Sequence, residues 1–229
     1  MSAHPLTGPR VPPAKGAATH LVVFLHGYGA DGNDLIGLAP EFQRGLPTAA
    51  FVSPNAPERC PGAGYQWFAL SRIDPRELAR GVEAAAPTLN AFLDSELARL
   101  DLTDDRLALV GFSQGTMMSL HVGLRRKPCA AIVGFSGLLA APAPAASERM
   151  PGIFLAHGDA DTLIPAGATI DAASRLGAAG YAAQWHLSPG IPHGIGPESV
   201  GLAARFVANA FAGRLTPRVR PASCGYPRR

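Results

Sequence analysis

No apolar run in this 229-residue chain reaches the roughly 18 residues that a membrane-spanning helix needs. Charged residues are sparse, at 16%, and aromatics make up only 7%. There are three cysteines, Cys60, Cys129 and Cys224, widely spaced and odd in number. That pattern excludes a disulfide framework, and no Cys-x-x-Cys pair offers a metal or redox site. The opening stretch, "MSAHPLTGPRVPPAKGAATH", has no apolar core and is broken by prolines, so it does not read as a signal peptide. A reducing, cytoplasmic setting is the expectation. A basic face for nucleic acid is also missing. The formal charge is +3, but Arg214, Arg218, Arg220, Arg228 and Arg229 sit in the final stretch, and without these five it falls to −2. The basicity belongs to a tail and not to a folded surface.

Apolar residues make up 47% of the chain, enough for one sizeable core. Residues 1–17, rich in proline, alanine and glycine, are expected to be flexible. Residues 18–213 are expected to form one domain, and 214–229 a basic, disordered tail. Within the domain, short apolar runs alternate with helical patterns. "HLVVFLHG" reads as a buried parallel strand, and "TAAFVSPNAP", "RLALVGFS", "AAIVGFSG", "GIFLAHGD" and "AAQWHLSP" give five more. "IDPREL" offers Asp74 as an N-cap, Pro75 at the first helical position and Glu77 for a capping box. The helix it starts is expected to kink at Pro87. "SQGTMMSLHVGLRRK" is expected to end on its three cations, and "AGATIDAASRLGAAG" to stop at Gly180. The alternation predicts an α/β fold with a mostly parallel central sheet, flanked by helices on both faces.

Ser113 lies in Gly111-Phe112-Ser113-Gln114-Gly115, between a strand and a helix. A nucleophile elbow needs this arrangement, because side chains at the glycines would strike the neighbouring backbone. The helix behind the serine points free N–H groups at its oxygen, and the Gln114 N–H is placed to bind an oxyanion. Asp159 and Asp161, in "LAHGDADTLIP", follow a later strand, and His193, in "SPGIPHGIGPES", follows the last one. All three lie on loops after strand ends, where ligands of parallel sheets gather. His193 is the one histidine in the right chain order on such a loop. His26 and His157 read as loop-shaping residues, and His186 as a packed or rim residue. The second motif, "GFSG" at 134–137, reads as a plain strand end, and Cys60 as a loop thiol.

Taken in order, "FLHGYGADG", "QWFAL", "GFSQG", "HGDADTLIP" and "PHGIGPES" resemble the bacterial carboxylesterase and acyl-protein thioesterase family of α/β-hydrolases, over about residues 20–212. The resemblance implies a triad of Ser113, Asp161 and His193. It favours Asp161 over Asp159, because Asp161 begins the family's Asp-x-x-Val/Ile-Pro element. It also implies an oxyanion hole from the backbone N–H groups of Tyr28 and Gln114. Trp67, Phe68, Leu70, Met117 and Ile164 are candidates for the acyl pocket. The expected activity is hydrolysis of short- to medium-chain carboxylic esters. Thioesterase or lysophospholipase action on longer chains is the alternative, and a non-catalytic binding protein the distant third. No metal or organic cofactor is expected. The expected partner is a small-molecule ester or thioester, with no nucleic acid and no stable membrane insertion; a homodimer is left open.

Overall fold

The computed structural model of the protein describes residues 6–126 and 129–215. In chain order the elements are β1 (Arg10–Val11), β2 (His20–Leu25), α1 (Gly32–Ile36), α2 (Ala39–Gly45), β3 (Ala49–Val52), β4 (Glu58–Arg59), β5 (Tyr65–Gln66) and α3 (Pro75–Leu100). There follow β6 (Leu107–Phe112), α4 (Gln114–Gly123), β7 (Ala131–Phe135), β8 (Gly152–Gly158), α5 (Gly167–Ala178), β9 (Ala183–Ser188) and α6 (Pro197–Phe211).

Seven strands form one sheet in the order β1-β3-β2-β6-β7-β8-β9. Every pairing is parallel except β1 with β3. The central strands are apolar throughout because both faces are covered. Alternate residues supply the two cores. Leu21, Val23, Leu25, Leu107, Leu109, Ile132 and Leu155 face one cluster, shared with Leu89 and Leu93 of α3. Val22, Phe24, Ala108, Val110, Val133 and Phe154 face the other, shared with Phe42 of α2 and Val207 of α6. The order reverses between β2 and β6, and in open parallel sheets the crevice at such a switch point is where ligands bind.

Several local expectations hold. Asp74 caps α3 by accepting from the Arg76 and Glu77 N–H groups, with Pro75 in the first turn. Glu77 does not complete a capping box; its carboxylate turns instead to the Ser71 hydroxyl and Arg72. The helix continues through Pro87 to Leu100. α4 ends at Gly123, earlier than expected. Arg125 instead reaches back to the His121 carbonyl and across to the Pro142 carbonyl, and Arg126 pairs with Asp94 and Asp104. α5 stops just before Gly180, as expected.

Of the segment 1–17 expected to be flexible, residues 1–5 lie outside the described residues, and the rest contributes an edge strand to the sheet. Arg10 and Val11 pair with Val52 and Phe51, and Leu6 is buried. The Arg10 guanidinium bonds the buried Glu96 of α3, which Arg99 also holds. A two-residue edge strand between prolines carries almost no sequence signal of its own. Of the expected tail, only Arg214 and Leu215 fall among the described residues. Within those residues no helix is long and apolar enough to cross a membrane.

Candidate active site

Ser113 follows β6 as the N-cap of α4, with φ 53° and ψ −114°, a conformation that costs a non-glycine residue about 1–3 kcal/mol. The surroundings enforce it. The Ser113 N–H donates to the Phe135 carbonyl at 2.8 Å, and the Ser113 carbonyl accepts from the Thr116 and Met117 N–H groups as α4 begins. The flanking glycines are required by close approach. A Cβ on Gly115 would lie 1.8 Å from the Leu25 carbonyl oxygen, and one on Gly111 2.2 Å from that of Gly115. The elbow is pressed against the end of β2.

Three strand ends bring three side chains together. His193, on the loop after β9, places Nε2 3.0 Å from Ser113 Oγ. Its Nδ1 lies 2.7 Å from Asp161 Oδ2, on the loop after β8. The other carboxylate oxygen accepts from the Leu163 and Ile164 N–H groups, each at 2.9 Å. Burial alone would raise the Asp161 pKa. Hydrogen bonds from His193, Ile164 and Leu163 outweigh it and hold the carboxyl below the usual carboxylate range. With Asp161 ionised, Nδ1 of His193 carries the proton, so Nε2 faces the serine as an acceptor. Asp159, the other candidate acid, instead braces the neighbouring turn by accepting from the Gly190 N–H at 2.6 Å.

Tyr28 follows the end of β2 and Gln114 opens α4. Among the described residues neither backbone N–H has an acceptor. The loop carrying Tyr28 is fixed by His26, which is buried. One ring nitrogen donates to the Gly27 carbonyl at 2.7 Å, and the other accepts from the Ala56 N–H at 3.0 Å. Burial lowers the His26 pKa and keeps the ring neutral, which these two bonds require. His26 thus shapes its loop, as the sequence suggests.

The Gln114 side chain has a part that sequence reasoning gave only to its backbone. Its Oε1 accepts from the Trp67 N–H and its Nε2 donates to the Phe68 carbonyl, both at 2.8 Å. A cleft of about 540 Å³ opens beside this wall, with Phe68, Ala69 and Leu70 as apolar lining and Tyr28, Glu58, Gln66, Glu77 and Arg80 around them. Of the five pocket candidates, Phe68 and Leu70 line it. Trp67, Met117 and Ile164 do not; they are buried in the core cluster. The Trp67 indole N–H is spent on the His26 carbonyl. Their closeness to the motifs in sequence reflects scaffolding and not exposure to the cleft.

His157, read from sequence as a loop-shaping residue, also touches the acid. Its Nε2 lies 3.1 Å from Asp161 Oδ2 and 2.8 Å from the Ile164 carbonyl, while Nδ1 meets the Thr169 hydroxyl at 2.8 Å. Two acceptors on one side place the ring proton on Nε2. Four donors therefore converge on Asp161. His186 stands at the rim and pairs with Glu198.

A model of the Phospholipase/Carboxylesterase family matches residues 6–210. Acyl-protein thioesterase 1 of Gibberella zeae is 26% identical over 225 residues, covering 87% of this chain and 94% of that protein. Acyl-protein thioesterase 1 of Schizosaccharomyces pombe is 33% identical over 164 residues, covering 65% and 71%. Among solved structures, esterase PE8 superimposes with a TM-score of 0.83 at 40% identity, covering 90% of this chain and all of that one. The chain belongs to the Phospholipase/Carboxylesterase family of α/β-hydrolases and is a serine-type hydrolase of the esterase and thioesterase class.

Proposed function

We propose that the protein is a carboxylesterase that cleaves short- to medium-chain esters with Ser113 as nucleophile, His193 as base and Asp161 as the orienting acid. The observation that carries this reading is the unbroken hydrogen-bonded line from Ser113 Oγ through His193 to Asp161, at 3.0 and 2.7 Å. His193 Nε2 takes the serine proton as Oγ attacks the substrate carbonyl. Asp161 holds the imidazole tautomer and stabilises the imidazolium. The Tyr28 and Gln114 N–H groups bind the oxyanion, and one such donor is worth about 3 kcal/mol where it has been removed from a protease. The tetrahedral intermediate collapses, the C–O or C–S bond breaks, and His193 returns its proton to the leaving alcohol or thiol. Water, deprotonated by His193, then releases the acid from the acyl-enzyme.

The chain-length reading rests on the cleft. Glu58, Glu77 and Arg80 stand among its lining residues, and a long acyl chain laid along it would have to desolvate them, which favours a short one. Thioesterase or lysophospholipase action is the second reading, favoured by the two fungal relatives named as acyl-protein thioesterases. A p-nitrophenyl ester series from C2 to C16, run beside acyl thioesters, separates the two. The expected optimum lies at or below about C8, and a maximum on palmitoyl thioesters would reverse the order. Ser113→Ala is expected to abolish turnover with the fold intact, and full activity in it would refute the nucleophile.

A further inference from the structure

The second serine motif, Gly134-Phe135-Ser136-Gly137, ends β7 and takes no part in the mechanism above. Ser136 nevertheless has φ 46°. Among the described residues, only two other non-glycine residues have positive φ. Asp101 caps the end of α3, and Ser113 is the elbow serine. No helix begins or ends at Ser136, so neither explanation applies.

The side chain supplies one. Ser136 is fully buried, and its hydroxyl donates to the Gly194 carbonyl at 2.6 Å. Gly194 is the residue after His193. The Ser136 N–H donates to the Ala156 carbonyl at 2.8 Å, which fixes the strand end on β8. One residue back, the Phe135 carbonyl accepts from both the Ser113 N–H and the Thr116 hydroxyl, each at 2.8 Å. One residue forward, a Cβ on Gly137 would lie 2.4 Å from Thr116 Cβ and 2.8 Å from the Ser113 carbonyl. Three consecutive residues thus touch the nucleophile elbow on one side and the histidine loop on the other.

The histidine loop needs such a tether. "SPGIPHGIGP" carries three glycines and three prolines, a composition with little regular hydrogen bonding of its own. Before His193 it is held by Asp159 on Gly190 and by the Ala160 N–H on the Ile191 carbonyl. After His193 it is held by Ser136.

We propose that Ser136 is a positioning residue, whose hydroxyl anchors the backbone after His193 and thereby keeps Nε2 on the Ser113 oxygen. This rests on the triad reading above. The strained φ aims the hydroxyl at Gly194, and the same peptide segment sets the elbow, so base and nucleophile are aligned from one point.

The test compares Ser136→Ala with Ser136→Gly, measuring kcat, KM and thermal midpoint on a short p-nitrophenyl ester. Glycine relieves the strained φ but restores no hydroxyl. Both variants are expected to lose about 10- to 100-fold in kcat, as misplacement of a reacting group does, with KM within about twofold. Glycine is expected to be the more stable of the two and no faster. An alanine variant with wild-type kcat overturns the proposal. So does a glycine variant whose activity returns with its stability. Ser113→Ala in the same assay keeps the readings apart. Activity there removes the triad and the positioning role together. An inactive Ser113→Ala beside an unimpaired Ser136→Ala removes only the positioning role.

Discussion

His121 sits on α4, behind the elbow, with only 5% of its surface exposed and Nδ1 without a hydrogen-bond partner. Burial, helped by the nearby Arg125 charge, lowers its pKa from 6.5 to about 4. The unfolded chain therefore takes up a proton below pH 6.5 that the folded protein refuses until about pH 4. Within that window the unfolded state binds more protons, so stability falls as the pH falls. The full loss is about 3 kcal/mol, and at pH 5 it has reached about 2 kcal/mol. For a chain of this size that lowers the midpoint by about 4–8 °C. Other groups titrate too, so the measurement is a difference. His121→Leu removes both the titration and the orphaned nitrogen, and is expected to match or exceed the wild-type midpoint at pH 7. Thermal melts of both proteins at pH 7 and pH 5 should then show the wild type dropping by those 4–8 °C more than the variant. Equal drops would mean that the imidazole titrates freely in the folded protein, and the burial argument would fail.

Asp161→Asn is expected to leave the fold intact and lower kcat by about 10⁴-fold, as loss of the orienting carboxylate does in a serine protease; a loss under tenfold would remove Asp161 from the triad. Because its folded pKa lies below the usual carboxylate range, Asp161 adds stability above that range. That contribution is lost as the pH falls through the folded value, and acid unfolding of the Asn variant should lack it. Gln114→Ala leaves the Trp67 N–H and the Phe68 carbonyl without a partner, at about 1–3 kcal/mol for each group that stays dry. Urea titration should show that loss, and KM should rise as the cleft wall loosens; unchanged values in both would refute the bridging role.

The sheet was legible because its central strands are buried on both faces. Runs such as "HLVVFL" and "LALVGF" leave no other reading, and each ends at a loop that carries a site residue. The order Ser, Asp, His then pointed to Ser113, Asp161 and His193, whose side chains the fold places in hydrogen-bond contact. β1 was not legible, since Arg10–Val11 is defined by its pairing partner and by Glu96, 86 residues away. The cleft was only partly legible. Trp67, Met117 and Ile164 are apolar and adjacent to motifs, but adjacency in sequence does not say which side of a loop faces outward. Ser136 and His157 lay hidden for a related reason: their contacts, a carbonyl after His193 and a carboxylate oxygen already bound by His193, exist only after folding.

The Gln114 side chain joins the cleft wall to the residue that follows the nucleophile, with one hydrogen bond on either side of the Trp67–Phe68 peptide. This bears on how the enzyme can be redesigned. Substitutions at 67 or 68 that shift the backbone pull on Gln114, and so on the N–H proposed as an oxyanion donor, which would couple a change in chain preference to a change in turnover. Leu70 and the α3 side of the cleft, at Arg80 and Ala84, have no such connection through Gln114. Selectivity should therefore be tunable from that side with the reaction rate largely preserved.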